Sequence, residues 1–228
     1  MVSCSAGDWR LVTDWASRSS PGRRPVFGRL HFILLLALVT AAPVQALGGV
    51  ILVLGDSLSS AYGLDVDNGW VTLLAKRLEQ NRSGYRVVNA SISGDTTNSA
   101  ATRLLRALEK HRPDIVVVEL GGNDGLRGLP LSVTQANLER IISDSQAAGA
   151  RVLLLGMRLP PNYGPAYTNA FHAIYEKLAD QYQTSRVPFL LDGIGGVEGM
   201  MQADGIHPRS EAQPLMLENV WPHLEPLL

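Results

Sequence analysis

The sequence predicts an α/β fold built on a parallel sheet covered on both faces by helices. Three observations carry that expectation. Five short aliphatic runs recur, each almost continuously apolar, as in strands buried on both faces. Stretches with apolar residues at helical spacing alternate with them. Polar, glycine-rich segments follow the runs, at the carboxyl ends of the expected strands, where such sheets collect their ligands.

The elements follow in order along the chain. Val50–Leu54 is the first strand, and Trp70, Leu73, Leu74 and Leu78 then share one helical face. Tyr85–Asn89 is the second strand, followed by a stripe of Ala101, Leu104, Leu105 and Leu108. Ile115–Leu120 is the third. Ser132 with Gln135 then resembles a capping box ahead of Leu138, Ile141 and Ile142, and Gly149 is placed to end that helix. Arg151–Leu155 is the fourth strand; Phe171, Ile174, Tyr175 and Leu178 form the next stripe; Val187–Leu191 is the fifth strand. A strand–helix alternation of this kind needs crossover connections, and those make neighbouring strands parallel. The stripes are read as core, with no cofactor role.

The N-terminus has another character. Arg23, Arg24 and Arg29 precede "FILLLALVTAAPVQA", an apolar run closed by small residues. That is the tripartite pattern of a secretory signal, with cleavage expected after Ala46. The expected organisation is a signal segment, 1–46, and one globular domain, 47–228. Removing residues 1–46 takes five of the 20 basic and two of the 21 acidic residues, leaving 15 against 19 and a net charge of −4. No basic stripe suggests a nucleic-acid partner. The single cysteine, Cys4, lies in the signal, so the mature domain is expected to have no disulfide, thiol nucleophile or thiolate metal site. No cysteine follows the apolar run, so no lipid anchor is expected. The destination is periplasmic or secreted, and nothing argues beyond a monomer.

The segments after the strands are "GDS" (55–57), "NASISGDTT" (89–97), "GGND" (121–124), "MRLPPNYGPAY" (157–167) and, further on, "DGIHP" (204–208). Ser57, at the end of a buried strand, is placed to cap a helix, hold an anion or attack a carbonyl, and the distant residues discriminate among these. Of the four mature histidines, His111 decorates a helix end, His172 lies in a helical stripe and His223 is close to the terminus. His207 has Asp204 three positions earlier, a spacing that puts both on one face of a turn. The acid then holds the imidazole in one tautomer while the other ring nitrogen faces a hydroxyl. A solvated surface pair is the competing reading of D-x-x-H. Gly94 offers a backbone N–H with no side chain in the way, and Asn123, after two glycines, aims an amide inward; with the Ser57 N–H they form an expected oxyanion hole. Taken singly, an ordinary turn at Gly94 and an Asx turn at Asn123 remain open. G-x-S-x-G is absent, because position 59 is Ser; no H-E-x-x-H and no P-loop ending occur. No metal or cofactor is expected.

"GDSL", "SGDT", "GGND" and "DGIHP", in that order, resemble the four blocks of the SGNH, or GDSL, hydrolases. "VVNASISGDTT", "VELGGNDGLRG", "RLPPNYG" and "DGIHPRSEAQP" are similar in detail to a bacterial periplasmic subgroup described as thioesterases, lysophospholipases and arylesterases. The resemblance covers roughly Val50 to the C-terminus. It implies a three-layer α/β/α flavodoxin-like sandwich with a five-stranded parallel sheet. It also implies Ser57 as nucleophile, His207 as base, Asp204 as its orienting acid, and Ser57, Gly94 and Asn123 as oxyanion donors. The expected reaction is hydrolysis of acyl esters and thioesters through a Ser57 acyl-enzyme. Two loops, Gly125–Leu131 and Met157–Tyr167, mix apolar residues with glycine or proline; Leu159, Pro160 and Tyr163 are the candidates for lining an acyl groove, against the alternative that the prolines only stiffen the surface. The competing functions are a carbohydrate acetyl esterase of the same family and a non-catalytic flavodoxin-like module holding an anion at a helix N-terminus.

Overall fold

The computed structural model of the chain describes residues 48–228, so the expected signal segment lies outside the described residues. Five strands form one sheet: β1 (Val50–Gly55), β2 (Arg86–Asn89), β3 (Ile115–Glu119), β4 (Arg151–Leu155) and β5 (Ser185–Val187). All neighbours are parallel, in the order β2-β1-β3-β4-β5. Six α-helices connect and flank them: α1 (Trp70–Gln80), α2 (Thr97–His111), the short α3 (Gly122–Leu126), α4 (Leu131–Ala147), α5 (Pro165–Tyr182) and α6 (Gln213–Leu224). α1 packs against α6, while α2, α4 and α5 pack side by side. The result is the expected three-layer α/β/α sandwich in flavodoxin-like order.

The continuous aliphatic runs are strongest where the sheet is covered twice. Every residue of β1 and β3, the two central partners, is buried. The helical stripes meet them: Trp70, Leu74 and Leu78 from α1, Leu104 and Leu108 from α2, and Leu138, Ile141 and Ile142 from α4 are all buried. In α5, Phe171 and Tyr175 pack edge to face at 5.6 Å. Gly149, in left-handed conformation, closes α4 as expected: the Ala150 N–H reaches the Ser145 carbonyl at 3.1 Å and the Gly149 N–H the Gln146 carbonyl at 2.9 Å.

Several local expectations are corrected. The last strand is Ser185–Val187, not Val187–Leu191. Pro188 has no N–H to continue a ladder, and the apolar Leu190 and Leu191 are buried from irregular backbone instead. β2 is an edge strand and only half-buried. No capping box forms, because α4 starts at Leu131 behind Pro130 and Ser132 is already inside the helix. Leu105 points to solvent. The segment after Ser57 is a run of turns rather than a helix, with Ser60 N–H bonded to the Asp56 carbonyl at 3.0 Å and Tyr62 N–H to the Ser57 carbonyl at 3.2 Å.

The strand order reverses direction between β1 and β3. Connections leaving these two strands diverge to opposite faces of the sheet, and a crevice opens outside their carboxyl ends. Ser57 follows β1 and Asn123 follows β3, so the two residues stand on either side of that crevice.

Candidate active site

Ser57 is held by what surrounds it. The Asp56 side chain accepts the Leu58 N–H at 3.1 Å, and the Asp56 N–H donates to Glu119 at 3.1 Å, so the backbone on both sides of Ser57 is tied down. Ser57 Oγ lies 2.9 Å from His207 Nε2, across 150 positions of sequence. His207 Nδ1 lies 2.7 Å from Asp204 Oδ2. With Asp204 ionised, Nδ1 carries the proton and Nε2 is left to accept from the serine hydroxyl.

Asp204 is well prepared for that state. Burial opposes its charge. The His207 N–H at 3.0 Å, the imidazole and the Ile206 N–H at 2.9 Å outweigh it and hold the carboxyl down to about 2. The turn Asp204–Pro208 is braced from outside. The Gln202 N–H donates to the His207 carbonyl at 2.7 Å, and Gln202 Nε2 donates to the carbonyls of Tyr62 and Pro208 at 2.9 and 3.1 Å. The Tyr62 ring covers the imidazole at 4.4 Å. Neither Gln202 nor Tyr62 was legible beforehand; both lie outside the quoted blocks, and their contacts exist only once distant turns meet.

The expected oxyanion donors lie on neighbouring segments, since Asn123 bonds both to Asp56, beside Ser57, and to Asp95, beside Gly94. Gly94 has φ +82°, a left-handed conformation that favours glycine, on a loop clamped from both sides. Arg127 donates to the Gly94 carbonyl at 3.0 Å, and Arg103 bridges to Asp95 at 2.7 Å. Among the described residues, neither the Ser57 N–H nor the Gly94 N–H donates to another backbone carbonyl. Asn123 differs. Its amide donates to Asp56 Oδ2 and to the Asp95 carbonyl, both at 3.0 Å, so both of its hydrogens are engaged in the resting site. Its neighbour Asp124, fully buried, accepts the Thr97 N–H at 2.9 Å and the Thr97 hydroxyl at 2.5 Å, joining the start of α2 to α3.

A cavity of about 480 Å³ opens beside Ser57 and His207, within the size range of small-molecule sites. Leu159 and Pro160 line it, with Leu126 from the other expected loop. Tyr163 stands outside the lining; its hydroxyl instead donates to the Leu126 carbonyl at 2.8 Å, and Tyr167 does the same for Leu129 at 2.9 Å, so the two loops are fastened to each other. A third wall comes from the segment after β5, with Phe189, Leu191 and Met201. Neither Trp70 nor Trp221 lines the cavity: Trp70 is fully buried in the core and Trp221 lies under Arg77 at 5.0 Å. Among the described residues no three His, Cys, Asp or Glu side chains gather as metal ligands, and no helix is long and apolar enough to cross a membrane.

A hydroxyl, an imidazole and a carboxylate in hydrogen-bonded series, at the switch point of a doubly covered parallel sheet, define the class: a serine hydrolase. Residues 53–213 match the GDSL-like Lipase/Acylhydrolase family, and the chain belongs to it. It is 55% identical to "Esterase TesA" of Pseudomonas aeruginosa over 195 residues, 86% of this chain and 96% of that protein. It is 42% identical to "Thioesterase 1/protease 1/lysophospholipase L1" of Escherichia coli over 199 residues, 87% of this chain and 93% of that protein. The solved structure "Crystal Structure of TesA" superposes with a TM-score of 0.77 at 57% identity, covering 78% of this chain and 99% of that one.

Proposed function

We propose that the chain hydrolyses carboxylic esters and thioesters of fatty acyl groups, with Ser57 as nucleophile, His207 as general base and acid, and Asp204 orienting the imidazole. The observation that carries this is the relay Asp204–His207–Ser57, with steps of 2.7 and 2.9 Å. His207 Nε2 takes the proton as Ser57 Oγ attacks the acyl carbonyl. The tetrahedral oxyanion meets the N–H groups of Ser57 and Gly94 and the Asn123 amide. The imidazolium then protonates the leaving alcohol or thiol. Water repeats the attack on the acyl-enzyme, His207 again taking and returning the proton. The apolar cavity beside the serine supports an acyl chain as the recognised part of the substrate. A sugar ester suits it less well, since sugar sites favour open aromatic platforms: neither Trp70 nor Trp221 lines it, and Phe189 in its wall lies under Arg158 at 5.4 Å.

Residues 1–46 are read as a secretory signal, so the mature enzyme acts outside the cytoplasm, where acyl-CoA is scarce and lipid esters are the available substrates. N-terminal sequencing of exported protein starting at Leu47 supports this reading; a start elsewhere corrects it. The central test is Ser57→Ala. It is expected to abolish turnover of p-nitrophenyl esters and labelling by a fluorophosphonate while the protein stays folded. A folded variant that turns over at the wild-type rate eliminates the mechanism. An unreactive wild-type serine returns the chain to the anion-binding alternative.

A further inference from the structure

Beneath the nucleophile turn lies an acid that the relay does not use. Glu119, the last residue of β3, is fully buried. Its Oε2 accepts the Asp56 N–H at 3.1 Å and the Ser59 hydroxyl at 2.8 Å. Its Oε1 has no hydrogen-bond partner. Beside it, Asp56 is 2% exposed and accepts from Leu58 and Asn123. Among the described residues no lysine or arginine forms a salt bridge with either carboxyl group. The titratable groups around the pair are Tyr175 from α5, Asp124 from α3 and His207 from the turn that bears it. The Arg103 guanidinium touches the adjoining Gly55 carbonyl at 3.5 Å, but its closer bonds go to Asp95 and the Ala90 carbonyl.

Two carboxyl groups in one dry pocket without a cation do not both ionise. We propose that Glu119 is a positioning residue of the site, kept neutral, whose Oε2 holds the Asp56 N–H and the Ser59 hydroxyl and so fixes the Ser57 turn directly and the Asn123 amide through Asp56. The proposal rests on the reading of Ser57 as nucleophile. The division of charge follows from the surroundings. Burial, and then the charge of Asp56, push Glu119 well above the ordinary carboxyl range. Burial also raises Asp56, but the bonds from Leu58, Glu119 and Asn123 and the nearby imidazole limit it to about 6. Asp56 therefore carries the one negative charge at neutral pH, and its bond to the Asn123 amide is the stronger, charge-assisted kind. An ionised Glu119 would place a second anion in the pocket, against the charge of Asp56.

A Glu119→Gln variant separates positioning from mere burial. The glutamine carbonyl accepts from Asp56 N–H and Ser59 as Oε2 does, and its neutral amide stands in for the protonated oxygen. It is expected to keep kcat within about threefold of wild type, a difference well under one decade of rate. Glu119→Leu removes the acceptor from both donors. It is expected to lower kcat and the rate of fluorophosphonate labelling by roughly 100-fold, as small misplacements of a reacting group do, with KM unchanged. Infrared difference spectra at pH 7 should show the carbonyl stretch of a protonated carboxylic acid in the wild type and not in Glu119→Gln; this reading holds even where Glu119→Leu fails to fold. Wild-type kcat in Glu119→Leu overturns the positioning role. Loss of activity in Glu119→Gln, or absence of the infrared band in the wild type, overturns the neutral acid. Ser57→Ala measured alongside keeps the two readings apart, since activity in that variant removes the nucleophile whatever Glu119 does.

Discussion

Asn123→Ala is the most informative single change in the oxyanion corner, because the amide is already occupied. Both of its hydrogens are engaged at 3.0 Å, one by the Asp56 carboxylate and one by the Asp95 carbonyl. To reach a developing oxyanion, Asn123 must give up one bond. The neutral bond to Asp95 is the weaker, with a net value of about 1 kcal/mol, whereas the bond to the carboxylate is worth about 1.5–3 kcal/mol. An oxyanion donor contributes about 2.7–4 kcal/mol to the transition state. Subtracting the surrendered bond leaves about 1.7–3 kcal/mol, a drop in kcat of roughly 20- to 150-fold at 1.36 kcal/mol per decade. This is smaller than the loss expected of a donor that is free at rest. The assay is steady-state hydrolysis of p-nitrophenyl butyrate by purified protein, with KM and melting temperature recorded together. A kcat within twofold of wild type, accompanied by a lowered melting temperature, would refute the reasoning and leave Asn123 as a tie between two loops.

The remaining expectations follow from the same geometry. Asp204 is held at about 2, below its usual 3.8, so its contribution to stability is complete above 3.8 and is lost as pH falls through about 2. Thermal melts across that window should show the loss in the wild type and not in Asp204→Asn, whose kcat should also fall by roughly 10³- to 10⁴-fold. Asp56 has the opposite sign: raised to about 6, it contributes most below 3.8 and loses that contribution as pH rises through about 6, a decline that Asp56→Asn should lack in the same melts. A methyl group on Gly125 would lie 2.5 Å from Leu159 Cδ2, so Gly125→Ala pushes that side chain into the cavity. Across a series of p-nitrophenyl esters the preference should move to shorter chains by roughly tenfold in kcat/KM, and Leu159→Ala should move it to longer ones; a flat profile in both variants removes Leu159 from the groove.

What the sequence made legible tracks how much of each element is buried on two sides. β1, β3 and β4 appear as aliphatic runs with bounds correct to a residue, because strands covered on both faces have no polar positions in their interior to blur them. β5 is an edge strand written Ser-Arg-Val, half-buried, while the apolar run beside it packs as turns. Hydrophobicity there reported burial and not the ladder. The residues of the relay were legible because each stands in a short block with its own turn chemistry. Glu119, Gln202 and Tyr62 were not. Glu119 reads as the end of a strand, and its meaning comes from Asp56, 63 positions earlier. The loop that carries Tyr163 points to the groove, yet the Tyr163 hydroxyl is engaged by the Leu126 carbonyl, a contact that residue type and spacing do not reveal.

The two halves of the site are anchored unequally. Ser57 and Asn123 leave the ends of the two central strands. Asp204 and His207 sit in residues 188–209, a stretch without helix or ladder apart from one bridge between Met201 and Pro208. Such stretches open at lower free energy than the sheet they hang from. On warming, the imidazole should therefore drift from the hydroxyl while the strands remain intact, and catalysis should fade reversibly, several degrees before the cooperative melt. Thermal tolerance in this enzyme is then governed by the grip on one coil, and bracing that coil should raise its working temperature without touching the core.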